Sequence, residues 1–306
     1  GFKNQFRRMR RLLRRFLRQL WTLITMNNSQ KSLFEGKSAL ITGGSSGIGL
    51  ALAKKMVEQG CHVAILSRQK QLLQEAEKTL QRVKDNETTK ISIIQADVTL
   101  RDELNQALDK HIAANGIPDI VINSAGVAHP GTFTMLKPEL FEWMMNVNYF
   151  GTVNVLKHLV PAFKARRSGS IVNISSIAGF LGIYGYTAYS ASKFAVNGFT
   201  DALRSELKPY NIHVSIVFPP DTKTPQLEYE KEFKPFITQE LAGSANLMEA
   251  EQVADEVLKK LAQKKYIILP GFEGKLLFLV KNLLGKNLHP VLDLMVNNSI
   301  RKLKLG

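Results

Sequence analysis

The short run Ser38-Ala39-Leu40-Ile41-Thr42 passes directly into Gly43-Gly44-Ser45-Ser46-Gly47-Ile48-Gly49. That turn passes directly into Leu50-Ala51-Leu52-Ala53-Lys54-Lys55-Met56-Val57. The first run has the length and apolarity of a buried strand, and the last has helical spacing. A strand that turns through glycine into a helix favours parallel strands joined by helical crossovers over hairpins. Glycine also lets the backbone come close to a bulky anion, while the helix N-terminus offers unpaired N–H groups and a positive dipole end. The glycine spacing is G-x-x-x-G-x-G rather than the commoner G-x-G-x-x-G of dinucleotide sites. A turn without a ligand is the competing reading of this segment.

The same alternation continues along the chain. Strand patterns occur at 38–42, 61–66, 91–96, 119–123, 170–174, 213–218 and 266–269. Helical patterns lie near 48–59, 70–83, 101–114, 138–165, 189–208 and 249–263. The expected fold is therefore α/β, a doubly wound parallel sheet of Rossmann type, with ligand at the carboxyl ends of the strands. The second strand ends at Ser67-Arg68, where NAD-preferring sites often carry an acid for the ribose 2′-hydroxyl. A hydroxyl and a cation suit a 2′-phosphate instead, so the expected cofactor is NADPH.

Tyr189-Ser190-Ala191-Ser192-Lys193 places a phenol and an ammonium on one helical face. A free phenol, with a pKa of about 10, is a poor acid or base near neutrality. An ammonium beside it favours the phenolate and lowers that value, so the pair suits proton transfer at the end of a hydride transfer. An ordinary solvated helix face has the same spacing.

Taken in order, these motifs make the chain resemble the short-chain dehydrogenase/reductase family from about Gly36 to Gly271. Besides the glycine turn, the marks are Asp97-Val98, Asn123-Ser124-Ala125-Gly126, Asn148, Ser176, and Tyr189 with Lys193. The resemblance implies that Tyr189 is the catalytic acid/base and that Lys193 binds the nicotinamide ribose. It implies that Ser176 holds the substrate oxygen, with Ser175 the weaker candidate, and that Asn148 supports a water-linked proton relay. Gly43, Ser45, Ser46, Gly47, Ile48, Gly49, Ser67, Arg68, Asp97, Val98, Asn123, Ala125 and Gly126 would line the cofactor. Pro219, Thr222 and Thr224 would meet it near the nicotinamide.

One departure from the family pattern is Phe218-Pro219-Pro220-Asp221-Thr222-Lys223-Thr224-Pro225, where Pro220 replaces a usual glycine. Proline restricts the backbone and removes an N–H, so either Thr222 or Thr224 is the candidate for the nicotinamide amide. This run, and Gly182-Ile183-Tyr184-Gly185-Tyr186-Thr187-Ala188-Tyr189, look like a branch that reduces a long-chain amino ketone in sphingolipid synthesis. The competing assignments are a steroid, retinoid or β-ketoacyl reductase, and a membrane-binding scaffold on an inactive reductase fold. Phe180, Leu181, Ile183, Tyr184 and Tyr186 are candidate pocket residues. The stretch from Pro220 to Met248, with Tyr229, Phe233, Phe236 and Leu241, is a candidate lid.

Charge is concentrated at the two ends. The net charge is +15, yet residues 26–274 hold 27 basic and 25 acidic side chains. Residues 1–25 carry 8 Lys or Arg and no acid, interleaved with Phe2, Phe6, Met9, Leu13, Phe16 and Leu20. That is a basic amphipathic pattern suited to an anionic membrane surface. The readings left open for it are a native segment, a targeting peptide, and an upstream extension ahead of Met26.

Residues 275–306 form a second basic amphipathic segment, with apolar runs far short of the roughly 20 residues that span a bilayer. The expected organisation is thus a segment 1–25, a dinucleotide-binding reductase domain 26–274 and a C-terminal segment 275–306. A near-neutral body without a nucleic-acid motif argues against nucleic acid as a partner. The single cysteine, Cys61, excludes an internal disulfide and fits an intracellular, reducing location, cytoplasmic or peripheral on a membrane. The six histidines show no metal-ligand spacing, so no metal site is expected. The family resemblance implies a homo-oligomer.

Overall fold

The computed structural model describes residues 33–84, 86–243 and 247–305. The basic amphipathic pattern of residues 1–25 lies outside them. Seven strands form one parallel sheet: β1 (Ser38–Thr42), β2 (His62–Ser67), β3 (Ile91–Gln95), β4 (Ile120–Asn123), β5 (Gly169–Ile174), β6 (Ile212–Val217) and β9 (Ile267–Ile268). Their order is β3-β2-β1-β4-β5-β6-β9. Two further strands, β7 (Thr222–Lys223) and β8 (Met248–Glu249), pair in parallel outside that sheet.

The central strands are buried on both faces, which explains why their runs read as nearly continuous apolar stretches. Ala39 and Ile41 of β1, with Val63 and Ile65 of β2, join one core. Helices α1 (Gly47–Glu58), α2 (Lys70–Arg82) and α9 (Ala250–Ala262) cover that face. Leu40, Ala64, Leu66 and Val121 point the other way, into a second core under α3 (Arg101–Asn115), α5 (Gly151–Arg166) and α6 (Thr187–Leu207). Strand order reverses at β1, so a crevice opens beyond the ends of β1 and β4. There Thr42 Oγ1 accepts hydrogen bonds from the backbone N–H groups of Ser124 (3.2 Å) and Ala125 (3.1 Å), tying the two strand ends together.

The expected single helix over 138–165 is interrupted. It consists of α4 (Pro138–Met145), a π-helical turn (Asn146–Phe150) and α5. Gly151 N–H bonds the carbonyl of Asn146, five residues back. The extra residue in this turn accompanies Asn148, whose side-chain amide pairs with both the N–H (2.7 Å) and the carbonyl (2.9 Å) of Val127. Such π turns concentrate at functional sites.

The described part of the stretch expected to be a lid holds α7 (Pro225–Lys231) and α8 (Phe236–Ala242), between β7 and β8. The chain ends in α10 (Phe272–Leu284) and α11 (His289–Leu305). One face of α10 docks through Leu277 and Phe278 onto Phe180 and Phe218. Lys302 of α11 pairs with Glu240 of α8 at 2.6 Å, so the C-terminal helix braces the lid. No helix among the described residues is long and apolar enough to cross a membrane.

Candidate active site

The glycine turn has the shape of an anion cradle. Gly43 (φ 65°) and Gly47 (φ 52°) adopt left-handed backbone that other residues rarely take. A Cβ at Gly43 would stand 2.8 Å from the Ala125 backbone, and one at Gly49 would stand 2.3 Å from the Gly43 carbonyl oxygen. Neither contact can relax by side-chain motion, so both positions require glycine. Ser46 is the N-cap of α1 in extended conformation, and its side chain makes no capping hydrogen bond. The first-turn amides of α1 therefore face the cavity without a side chain over them, as a pyrophosphate needs. These features fit a dinucleotide.

One cavity runs from this turn past Gly126, Ser176, Tyr189 and Lys193 to Pro219, Thr222 and Thr224. A second continues from Gly43, Ser45 and Ser46 to Ser67, Arg68, Asp97, Val98 and Ala125. Ile48 and Gly49 sit with the first group. Arg68 is exposed and makes no ion pair among the described residues, so its guanidinium is available to an incoming anion. Asp97 turns its carboxylate onto Thr99, accepting from its N–H (2.8 Å) and hydroxyl (2.7 Å), and so shapes the pocket wall. Asn123 lies beneath the cavity, where its amide donates to Asn173 at 2.8 Å and Asn173 donates to Thr200 at 2.9 Å. That chain of buried amides crosses from β4 through β5 to α6.

Tyr189 and Lys193 lie one turn apart near the start of α6. Lys193 is buried, and its Nζ donates to the carbonyl of Ile174 at 3.0 Å, at the end of β5. Burial pushes its pKa down to about 8. The expected lowering of the Tyr189 pKa is not found in the protein alone. Burial raises it, the negative charge of Glu230 raises it further, and hydrogen bonding from Ser176 and Gln226 acts the other way. Burial is the largest of these effects, and Lys193 Nζ is held by Ile174, 5.7 Å from the Tyr189 ring centroid.

Ser176 caps a short 3-10 turn after β5, accepting from Ala178 N–H at 3.1 Å, and faces the cavity. Ser175 also borders the cavity, but it is buried and its hydroxyl is engaged with the carbonyl of Lys193 at 3.1 Å. Asn148 is buried, and its amide also donates to Ser192 at 2.8 Å, which in turn donates to the Tyr189 carbonyl at 2.7 Å. Asn148 thus positions the first turn of α6. Thr222 donates to the Pro220 carbonyl at 2.8 Å, whereas Thr224 caps α7 by accepting from Leu227 N–H at 3.2 Å.

Of the five expected pocket residues, Ile183 and Tyr186 line the cavity. Phe180 is core instead, in edge contact with Phe218 (5.2 Å) and Phe278 (5.1 Å). Leu181 packs on the same cluster, and Tyr184 lies at the surface. Three polar lid residues that sequence reasoning did not assign also line the cavity: Asp221, Gln226 and Glu230. A signal for two of them was present. Thr224-Pro225 is an N-cap followed by proline at the first helical position, which places residues 226 and 230 on one face of the helix it starts.

The chain is 35% identical over 247 residues to the 3-ketodihydrosphingosine reductase of Bos taurus, covering 79% of this chain and 73% of that protein. It is 40% identical over 244 residues to 3-dehydrosphinganine reductase TSC10B of Arabidopsis thaliana, covering 79% and 72%. Among solved structures it is similar to a 3-oxoacyl-[acyl-carrier protein] reductase with bound NAD from Brucella melitensis. That match has a TM-score of 0.67, 27% identity and coverage of 78% of this chain and 91% of the other. ElxO with NADP bound matches with a TM-score of 0.66, 30% identity and coverage of 76% and 96%. The short chain dehydrogenase family profile matches residues 37–234, and with the sheet order and cradle described above, the chain belongs to this family of oxidoreductases.

Proposed function

We propose that the protein reduces 3-ketodihydrosphingosine, a long-chain amino ketone, to the secondary alcohol with NADPH. The observation that carries this reading is the convergence of Ser176, Tyr189 and Lys193 on one cavity wall beside the glycine cradle. NADPH, when bound, supplies the hydride. Ser176 holds the carbonyl oxygen of the substrate, and Tyr189 gives that oxygen its proton. Lys193 binds the ribose and, with the relay through Asn148, returns a proton to Tyr189. Arg68 and Ser67 hold the 2′-phosphate, which favours NADPH over NADH. The substrate assignment is supported by the two sphingoid ketone reductases named above, to which the chain is similar over most of its length.

The test is turnover of 3-ketodihydrosphingosine beside a steroid ketone, a retinoid and a β-ketoacyl thioester, each with NADPH and NADH. Reduction of the sphingoid ketone with NADPH is expected. Its absence, with turnover of another ketone, overturns the substrate.

A second element of the reading concerns where the enzyme works. Phe272, Leu276, Leu279 and Leu283 of α10 are exposed, and their spacing puts them on one face. Lys275, Lys281 and Lys286 lie in or just beyond the same helix. An apolar stripe with nearby cations suits the interface of an anionic bilayer, where a long-chain ketone resides. In this organisation residues 26–274 are the catalytic body and 275–306 the interfacial segment. Sedimentation with phosphatidylserine vesicles, lost in Phe272→Ser/Leu283→Ser, checks it. By family analogy the catalytic body pairs with a second copy through α5 and α6, which sedimentation velocity tests.

A further inference from the structure

The cavity that holds Tyr189 and Ser176 has an acidic end. Glu230 of α7 is a buried carboxylate that lines the cavity, and Asp221 joins it from the loop before β7. Buried carboxylates are rare unless something compensates their charge. One Glu230 oxygen accepts the Tyr186 hydroxyl at 2.5 Å, and the other accepts the Gln226 amide at 3.0 Å. Both donors are neutral. A carboxylate has about four lone-pair sites, so two of them are still open. The nearby cation, Lys234, is committed at 3.5 Å to Asp221 and is not part of the cavity lining. The cavity wall on the lid side therefore carries a desolvated acid with hydrogen-bonding capacity in reserve.

Glu230 adjoins the reacting centre. The Tyr186 ring, whose hydroxyl it holds, lies 5.6 Å from the Tyr189 ring. In an α-amino ketone the nitrogen is bonded to the carbon next to the carbonyl. A carbonyl held at Tyr189 and Ser176 thus brings its ammonium against the groups that adjoin Tyr189. Lys193, which also lines the cavity, is a cation and repels an ammonium, so the orientation toward Glu230 is the one that pairs cation with anion.

We propose that Glu230, supported by Tyr186 and Gln226 and backed by Asp221, is the counter-ion for the ammonium of the substrate and selects amino ketones over ketones that lack the amine. The inference rests on the reading of this cavity as a ketone reductase site and sharpens it to cationic substrates. It also assigns α7 a role in recognition, because that helix carries the acid at the cavity wall.

The test compares kcat/KM for 3-ketodihydrosphingosine with that for the same chain bearing hydrogen in place of the amine. Both are assayed at pH 7 with NADPH on the full chain. The wild-type enzyme is expected to favour the amino ketone at least about tenfold, on the scale of one charge-assisted hydrogen bond. Glu230→Gln, which keeps the shape and the Gln226 contact, is expected to lower that ratio at least about tenfold through KM for the amino ketone. A merely structural role for Glu230 would change both ketones together and leave the ratio intact, which overturns the inference. If Glu230→Gln does not fold, the wild-type ratio decides alone, and a ratio near one overturns it. Reduction of neither ketone removes the reading beneath it, and both fall; equal reduction of the two removes only this inference.

Discussion

Tyr186 donates a 2.5 Å hydrogen bond to Glu230, joining the residue that precedes α6 to the lid helix α7. The contact links catalytic helix and lid in one step, since α6 carries Tyr189 and Lys193 on its first turns. Thr238 of α8 adds a second tie by donating to the Tyr184 carbonyl at 2.9 Å. His129, after β4, and Tyr229 of α7 share a third hydrogen bond of 2.7 Å. These three hydrogen bonds, with the Lys302–Glu240 pair, latch the lid.

Tyr186→Phe removes the shortest latch and leaves a buried carboxylate oxygen without that donor. The expected loss of stability is about 1–3 kcal/mol, the range for an unsatisfied buried polar group. Burial already raises the Glu230 pKa, against the lowering effect of the Tyr186 and Gln226 hydrogen bonds. Losing one of them moves that pKa further up. Urea unfolding measures the first effect, and faster proteolysis within 225–243 in the variant reports the freed lid. Unchanged proteolysis means that the contacts of Thr238, His129 and Lys302 hold the lid without Tyr186.

Tyr189→Phe deletes only the hydroxyl that faces the cavity. Loss of a positioned general acid lowers kcat by roughly 10²–10⁴-fold. The cradle, Arg68 and Lys193 are untouched, so NADPH affinity, read by fluorescence titration, should move by less than about threefold, or under 1 kcal/mol. A variant with near-normal kcat would remove Tyr189 from the proton transfer.

Arg68→Ala tests the cofactor preference. A guanidinium on a 2′-phosphate is a charge-assisted contact worth about 1.5–3 kcal/mol, or roughly a 10–100-fold change in affinity. NADPH binding should weaken by that factor while NADH binding stays level, since NADH carries no 2′-phosphate. Equal weakening of both would instead mark Arg68 as a general shaper of the pocket.

The alternation of apolar runs and helical spacing carried the sheet, because strands joined by helical crossovers lie parallel and, buried on both faces, read as continuous apolar runs. The glycine turn was equally legible, since Gly43 and Gly49 have backbone within 3 Å of where a Cβ would sit. Tyr189, Lys193 and Ser176 fall together because α6 and the end of β5 bring them to one wall. What the residues did not disclose depends on long-range contacts. The break near Asn148 follows its pairing with Val127, 21 positions earlier in the chain. The acid at Glu230 is a site residue only because α7 folds back over Tyr186, 44 positions away. The direction of the Tyr189 pKa was not legible because helical spacing discloses neither the burial of the phenol nor the approach of Glu230.

Lys193 should make stability depend on pH in an uncommon direction. Its pKa falls from an ordinary 10.5 to about 8 in the folded protein because burial disfavours the charge. Below that lower value both folded and unfolded chains hold the proton, and the buried charge weighs against folding. Between about 8 and 10 the unfolded chain keeps a proton that the folded chain has released, so stability rises with pH. Tyr186 and Tyr189, both raised by burial, act oppositely once unfolded tyrosine begins to ionise near 10. Urea unfolding of wild type and Lys193→Met at pH 7.5 and 9.5 isolates the lysine. Wild type should gain about 2 kcal/mol on the variant across that interval, at about 1.4 kcal/mol per pKa unit. A constant difference between the two would mean that Lys193 titrates like a lysine in water, and that the cavity wall is wetter than its burial among α6, β5 and Gly126 implies.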